Sequence, residues 1–252
     1  MAGQYIEAVL FTRLLNTAST SAAAYSLQSL CAVCHAWGAQ RVCEVCVKQF
    51  VRSVPRCELC ADAVPPGVTQ CGACLKQPPP ASRTLAAVDY LHPWDGLITR
   101  FKFHAALDLA PALTQRLIDM HRHHGAPPPG LLLPMPLAEQ RLRERGYNQA
   151  WELTRRLAAA LRCASDARLL LRIKDTPHQL ALAPSERAAN VRGAFAIEPR
   201  RRAEVQEREI TLIDDVLTTG ATVDEAARVL LQAGAASVQV WVVARTPRHA
   251  TL

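Results

Sequence analysis

The residues 210–222 read Ile210-Thr211-Leu212-Ile213-Asp214-Asp215-Val216-Leu217-Thr218-Thr219-Gly220-Ala221-Thr222: an apolar run, two adjacent carboxylates, then a hydroxyl-rich loop with one glycine. The apolar run reads as a buried strand, and open α/β sheets place ligands at the C-terminal ends of their strands. Thr222 and Glu225 have the T-x-x-E spacing of a capping box, so the loop should open a helix whose backbone N–H groups and positive dipole end face it. A phosphate fits there, held by backbone amides and by the hydroxyls of Thr218, Thr219 and Thr222, while Gly220 permits close approach. Asp214 and Asp215 would accept hydrogen bonds from sugar hydroxyls beside it. Phosphate next to a vicinal diol describes a ribose 5-phosphate. An ordinary strand, turn and helix would explain Asp224 and Glu225, but not two carboxylates ahead of a T-T-G-A-T loop.

Eight of the nine cysteines lie between Cys31 and Cys74, paired as Cys31/Cys34, Cys43/Cys46, Cys57/Cys60 and Cys71/Cys74 in C-x-x-C units. Thiols clustered this way in a reducing compartment are metal ligands rather than disulfides. Eight residues separate Cys34 from Cys43 and ten separate Cys60 from Cys71, so each pair of knuckles can bring four thiolates to one tetrahedral zinc, leaving no open catalytic position. Two structural zinc ribbons are expected; crossed pairing or one filled site are the alternatives. Redox C-x-x-C chemistry would require a thioredoxin-like context that the segment lacks. His35 could replace a cysteine, but suits a surface turn. His121, His123 and His124 end a helical stretch where charged histidines complement the dipole, and no carboxylate or cysteine is spaced to complete a metal site with them. Cys163, alone in a helical pattern, reads as a small core residue.

A second polar block, Leu133-Pro134-Met135-Pro136-Leu137 followed by Arg141-Leu142-Arg143-Glu144-Arg145-Gly146-Tyr147-Asn148-Gln149-Ala150, carries three alternating arginines. On an extended loop Arg141, Arg143 and Arg145 point to one side and can meet a pyrophosphate or a nucleic-acid backbone, although a solvated charged loop has the same composition. Tyr147, Asn148 and Gln149 can stack, hydrogen-bond and cap where the next helix starts. Arg200, Arg201 and Arg202 form another basic cluster, read as a solvated connection.

The elements that must position these groups follow from periodicity. The chain has 252 residues, 50% hydrophobic and 20% charged, which excludes collagen, coiled coil and wholesale disorder. Its net charge of +7 favours polyanionic partners such as phosphates or nucleic acid. With no run of eighteen apolar residues and no basic-then-apolar start, no membrane insertion and a cytoplasmic location are expected. Residues 1–30 hold Ile6, Val9, Leu10 and Leu14 at helical spacing, a possible leader helix; the cysteine module spans residues 31–77. Gln77-Pro78-Pro79-Pro80 suggests a domain boundary, with the main domain over residues 81–247. Strands are expected at Thr84–Leu91, Leu131–Leu133, Leu169–Ile173, Ala194–Ile197, Ile210–Ile213 and Val238–Val243. Helical segments are expected over Leu97–His124, broken or begun at Pro111, over Gln149–Arg162, and over Val223–Ala233 closing at Gly234. Strands alternating with helices imply an α/β fold with a mostly parallel sheet.

The D-D-x-x-T-T-G-x-T loop resembles the phosphoribosyltransferase signature for phosphoribosyl pyrophosphate. With the cysteine segment in front and the R-G-Y-N-Q block between, the chain from about Cys31 to Arg245 resembles the ComF/GntX family of competence-associated phosphoribosyltransferase-like proteins. The resemblance implies a type I phosphoribosyltransferase-like sheet flanked by helices. It implies that Asp214 and Asp215 hold the ribose hydroxyls, that residues 216–222 (Val216, Leu217, Thr218, Thr219, Gly220, Ala221, Thr222) hold the 5-phosphate, and that magnesium bridges ribose and pyrophosphate. Pro134 to Leu137, with Pro136 and Leu137 at its tip, takes the place of the pyrophosphate-contacting turn. Lys174 to Arg192, with Thr176, Gln179, Arg187 and Asn190, takes the place of the mobile loop that closes over substrate; Lys174 and Arg187 are its candidate catalytic cations. The resemblance further implies phosphoribosyl pyrophosphate and single-stranded DNA as ligands during DNA uptake, with other DNA-uptake proteins as candidate partners. A metabolic phosphoribosyltransferase joining an amine or nucleobase nitrogen to ribose 5-phosphate is the alternative, though no acceptor motif is visible. Aromatics are 5% of the chain, with Tyr147, Trp37 and Trp94 as possible stacking partners, so single-strand binding should rest on the phosphate backbone.

Overall fold

In a computed structural model, the description covers residues 28–125, 128–174 and 191–247. The segment before residue 28, with its expected helix, lies outside the described residues, as do residues 175–190. The cysteine segment opens with a small antiparallel pair, β1 (Ser29–Leu30) and β2 (Trp37–Gly38), and holds two short helices, α1 (Glu44–Phe50) and α2 (Gly72–Lys76). Then come β3 (Arg83–Asp89), α3 (Trp94–Phe103), a 3-10 turn at Leu107–Leu109 and α4 (Ala110–His124). Pro111 sits in the first turn of α4, where its missing N–H costs nothing, and Gly125 ends that helix at φ 60° in the left-handed region. The chain continues through β4 (Leu131–Pro134), α5 (Glu139–Arg145), α6 (Gln149–Leu161), β5 (Ala164–Ser165), β6 (Leu170–Arg172) and β7 (Phe195–Ile197). A 3-10 segment at Pro199–Val205, β8 (Glu209–Leu217), α7 (Ala221–Gln232) and β9 (Ser237–Arg245) complete it.

Five strands form one parallel sheet in the order β3-β9-β8-β4-β5. Both faces are covered, as parallel strands require. Leu131, Leu133, Ile210, Leu212, Val238 and Val240 point to a core closed by α7 through Val223, Ala226, Ala227 and Leu230. Leu132, Ile213, Trp241 and Val243 point to the other core, closed by α3, α4 and α6 through residues such as Ile98, Phe101, Leu113, Leu117, Leu153 and Leu157. The expected strand at Leu169–Ile173 does not join this sheet. As β6 it pairs antiparallel with β7 in a separate two-stranded ribbon, because Leu170 and Phe195 bury against the α7 face instead of extending the edge beyond β5. The cysteine segment also shares these cores: Cys31, Val42 and Cys46 are buried with Trp94 and Ile98, and the indole N–H of Trp94 donates to the Phe50 carbonyl at 3.1 Å.

Chain direction fixes where a site can form. α6, which follows β4, lies on one face of the sheet, and α7, which follows β8, lies on the other. Neighbouring strands whose following helices leave to opposite faces open a crevice at their C-terminal ends. That crevice lies between β4 and β8.

Candidate functional site

A cavity of about 540 Å³ occupies the crevice. The end of β8 and the loop after it line one side through Asp214, Asp215, Thr218, Thr219, Gly220 and Thr222; Met135, Pro136 and Leu137 of the β4 turn line another. Val216 and Leu217 also line it, whereas Ala221 does not. Strand β8 is longer than its apolar run predicts: it continues to Leu217, so both carboxylates sit within it. There the Asp215 backbone N–H donates to Asp214 Oδ1 at 2.8 Å, and the Val216 N–H to Asp215 Oδ1 at 2.7 Å.

The two acids differ in environment. Asp215 is 1% exposed and receives Lys102 Nζ on Oδ1 at 2.9 Å, while its buried Oδ2 has no hydrogen-bond partner. Asp214 is pushed up to about 7 by desolvation and then by the Asp215 charge beside it. Burial by itself would lower Lys102, but the charges of Asp215 and Asp214 outweigh it and hold the ammonium above its ordinary range. Lys102, Arg141, Arg145 and Arg172 bring four cations to the cavity against the carboxylates of Asp214, Asp215 and Glu144.

The capping box expected at Thr222 and Glu225 does not form. α7 starts at Ala221 with Gly220 as N-cap at φ 96°; the N-cap itself has no side chain to offer, and the Ala221 N–H meets Thr219 Oγ1 at 3.5 Å. That earlier start puts Thr222 inside the first turn and Glu225 beyond reach of the N-cap. Glu225 instead accepts the Gly193 backbone N–H at 2.7 Å and pairs with Arg228, tying α7 to the chain entering β7. The positive end of α7 faces the loop, with the Asp224 carboxylate of its first turn beside Gly220, 3.3 Å from where a Cβ would stand.

The arginine block also departs from expectation. Glu139 to Arg145 is the helix α5, not an extended loop, so alternate residues no longer share a side. Arg141 and Arg145, one turn apart, line the cavity, whereas Arg143 points to solvent and pairs with Glu139. The helix forms because Glu139 pairs with Arg143, and Gln140 with Glu144 at 2.8 Å, at i,i+4 spacing, and because Gly146 at φ 79° ends it. Arg145 is fixed by Gln149 Oε1 and lies 5.1 Å over the Phe103 ring. Asn148 supports the structure rather than lining the cavity: its Oδ1 accepts the Ala150 and Trp151 N–H groups as the N-cap of α6, and its Nδ2 donates to the Met135 carbonyl at 3.1 Å. Gln149 is buried and does line it. Trp94 is fully buried, which removes it as a stacking partner; Tyr147 is partly buried against the core and donates its hydroxyl to the Phe101 carbonyl, and Trp37 is exposed.

Lys174 donates to the Arg192 carbonyl at 3.1 Å and does not line the cavity, and Arg187 lies outside the described residues. Sequence reasoning missed Lys102, Arg172, Tyr90 and Phe103 on the wall. The available signal for Lys102 was a lysine adjoining the apolar positions Leu97, Ile98 and Phe101 of a short helix.

Eight cysteines form two tetrads, Cys31, Cys34, Cys43, Cys46 and Cys57, Cys60, Cys71, Cys74, the ligand atoms of each within 4.8 Å of one another. Sulfur pairs stand 3.7 to 3.9 Å apart, close to the ~3.8 Å edge of a tetrahedron with metal–sulfur bonds of about 2.3 Å. Both halves are built alike. The first knuckle turns through a left-handed residue, His35 at φ 59° and Ala61 at φ 56°, and the second cysteine pair opens a short helix. The Cys43 and Cys71 N–H groups donate to Cys31 Sγ at 3.4 Å and Cys57 Sγ at 3.3 Å. Burial and neighbouring thiols raise Cys46 and Cys74, a crowding that a bound dication relieves. The residues therefore fit zinc, and both tetrads could hold one. His121 is buried against the Trp241 ring at 4.9 Å, and burial lowers its pKa, so it belongs to the core and is not a dipole-complementing cation. Cys163 is partly buried against the same core, and burial raises its thiol. Among the described residues no helix is long and apolar enough to cross a membrane.

These features define a protein with a phosphoribosyltransferase-like parallel sheet and a double cysteine-tetrad segment in front of it. No family model matches the chain. It is 37% identical over 169 residues to the DNA utilization protein YhgH of Escherichia coli (strain K12), covering 65% of this chain and 72% of that one. It is 34% identical over 160 residues to Competence protein F of Haemophilus influenzae, covering 62% and 69%. It is 30% identical over 157 residues to Competence protein ComFC of Bacillus subtilis (strain 168), covering 59% and 58%. The chain belongs to the ComF/GntX family of phosphoribosyltransferase-like competence proteins. Among solved structures, a hypoxanthine phosphoribosyltransferase of Staphylococcus aureus matches with a TM-score of 0.35 at 10% identity, covering 56% of this chain and 76% of that one. An allosteric regulatory enzyme of purine biosynthesis matches with a TM-score of 0.33 at 17% identity, covering 52% and 25%. Likenesses at that level add nothing to the strand order and the sequence relatives.

Proposed function

We propose that the cavity binds phosphoribosyl pyrophosphate with magnesium, that its basic rim binds single-stranded DNA, and that the chain acts in the cytoplasm in DNA uptake. The observation that carries this reading is the pairing, at the sheet's switch point, of the α7 N-terminus behind the threonine loop with a buried Asp215 oxygen that has no hydrogen-bond partner. The first suits a 5-phosphate, and the second suits a ribose hydroxyl or a cation bound to it. Asp214 and Asp215 are the groups that would hold magnesium and the diol, and the ion would neutralise pyrophosphate charge. Lys102, Arg141, Arg145 and Arg172 then face the remaining phosphates. The names of the relatives, DNA utilization and competence proteins, support a DNA-uptake role and candidate partners among other DNA-uptake proteins. Arg141 and Arg145 on one side of α5, and few exposed aromatics among the described residues, favour backbone contacts over base stacking.

Titration calorimetry with phosphoribosyl pyrophosphate and magnesium tests this. Thr219→Ala and Asp214→Asn should each weaken binding roughly ten- to hundredfold, the effect of losing about 1.5 to 3 kcal/mol of hydrogen bonding to a charged group, without unfolding the chain. Equal affinity in all three proteins would exclude the loop as the site. Pyrophosphate release measured with and without single-stranded DNA separates a regulatory ligand from the substrate of a metabolic transferase; release that requires an added amine or nucleobase would favour the transferase.

A further inference from the structure

Arg245 ends β9 and is 1% exposed, so its guanidinium is one of the largest polar groups in the interior. Its Nε donates to the Cys60 carbonyl at 2.9 Å, and its Nη1 donates to the Leu217 carbonyl at 2.9 Å, to the Thr218 carbonyl, and to the Thr246 carbonyl at 2.7 Å. Cys60 belongs to the second tetrad, and Leu217 and Thr218 are where the phosphate loop leaves β8. We propose that Arg245 is a positioning residue that ties the second cysteine tetrad to the phosphate loop, so that metal held by Cys57, Cys60, Cys71 and Cys74 sets the loop's affinity for its ligand. The affinity part rests on the phosphoribosyl reading of the loop.

The knuckle is anchored through four consecutive carbonyls. Glu58 O accepts the Thr84 N–H and Leu59 O the Thr84 hydroxyl, each at 2.8 Å; Cys60 O accepts Arg245; Ala61 O accepts Arg56 Nη1 at 3.1 Å. Arg56 in turn pairs with Asp89 at the end of β3 at 2.9 Å. These carbonyls point outward only in the tight turn that brings Cys57 and Cys60 together, the turn a bound metal closes. For such small cysteine units metal-binding energy is folding energy. When the metal leaves, the Cys60 carbonyl withdraws from a buried cation, and a buried donor that loses its acceptor is costly enough to move. The same fork holds Leu217 and Thr218, so its movement loosens the loop. The first tetrad is tied elsewhere: the Cys31 carbonyl takes the His35 N–H as the Cys57 carbonyl takes that of Ala61, and Arg41 pairs with Asp108 at 2.6 Å, so among the described residues these bonds lead to the 3-10 turn before α4 and not to the phosphate loop.

Linkage makes the effect reciprocal, with a coupling of at least about fivefold expected for a two-site arrangement of this kind. Amide hydrogen exchange of the peptide covering residues 216–222 tests it on the zinc-loaded full chain without any ligand. Cys71→Ser, which empties the second tetrad, should raise exchange in that peptide, while Cys34→Ser should not. Arg245→Lys keeps the charge but cannot bridge two elements; it should retain two zinc ions, show raised exchange already, and no longer respond to Cys71→Ser. With phosphoribosyl pyrophosphate and magnesium saturating, the affinity for the second zinc, read by equilibrium competition with a chelator, should rise about fivefold or more in the wild type and not in Arg245→Lys. Unchanged exchange in Cys71→Ser, or equal responses in Cys71→Ser and Cys34→Ser, overturns the coupling even where Arg245→Lys fails to fold. Absence of calorimetric binding to the zinc-loaded chain would instead overturn the phosphoribosyl reading, leaving the exchange result to decide the coupling alone.

Discussion

Replacing Lys102 with methionine keeps the length and apolar bulk of the stem and deletes the charge facing Asp215. The Asp215 side chain is 2% exposed and that of Lys102 26%, so the pair is desolvated mainly on the acid side. After the change Asp215 Oδ1 keeps the Val216 N–H, Oδ2 keeps no partner, and Asp214 adds a second nearby carboxylate. Removing one member of a fully buried pair costs about 3 to 5 kcal/mol; partial exposure of the lysine end reduces this to about 2 to 4 kcal/mol. For a chain of this size each kcal/mol lowers Tm by about 2 to 4 °C, so a loss of roughly 5 to 15 °C is expected at pH 7 by circular dichroism. Lys102 has a raised folded pKa, so its contribution is complete at neutral pH and is lost only as pH rises through that raised value. Combining Lys102→Met with Asp215→Asn removes both charges and should recover most of the loss, since a neutral pair has little desolvation to repay. A Lys102→Met protein within about 0.5 kcal/mol of wild type, or a double variant no more stable than the single one, would refute the view of Asp215 as a buried, lysine-dependent anion.

Asp214 is held near 7, so it carries its proton at pH 6 and loses it by pH 8; affinity for phosphoribosyl pyrophosphate should rise across that interval, and Asp214→Asn should flatten the calorimetric profile. Neutral replacement of Arg141 or Arg145 should flatten the slope of log affinity for single-stranded DNA against log salt by about 0.7 each, whereas Arg143→Ala, on the solvent side, should leave fluorescence-anisotropy titrations unchanged. Asn148→Ala should cost about 1 kcal/mol in urea unfolding through loss of the α6 cap, with further weakening of ligand binding as the Met135 turn loses its clamp. Elemental analysis should find two zinc ions per chain; a metal-free protein carrying disulfides would contradict the tetrad geometry.

The sequence by itself determined what depends on short spacing. Paired C-x-x-C units at separations of eight and ten residues marked eight cysteines as ligands for two four-thiol sites, because metal ligation needs only nearby thiols on tight turns, while the in-order pairing of the knuckles, left open by the spacing, was decided by the fold. An apolar run followed by D-D-V-L-T-T-G-A-T likewise located a strand and the loop behind it, though the strand runs on past the carboxylates to Leu217, and alternation of apolar runs with helical periodicity announced a parallel α/β sheet. Tertiary structure alone decided what depends on distant partners. Lys102 meets Asp215 across 113 positions and Arg245 meets Cys60 across 185, and no local pattern encodes such pairs. It also decided cases where local signals compete. The arginine block is helical because i,i+4 pairing and Gly146 outweigh its loop-like composition. Glu225 serves Gly193 because the positive φ of Gly220 starts α7 early enough to carry that carboxylate past the cap. A side chain's type is written in the sequence; the group it faces is set only when the strands close into one sheet and both of its faces are covered.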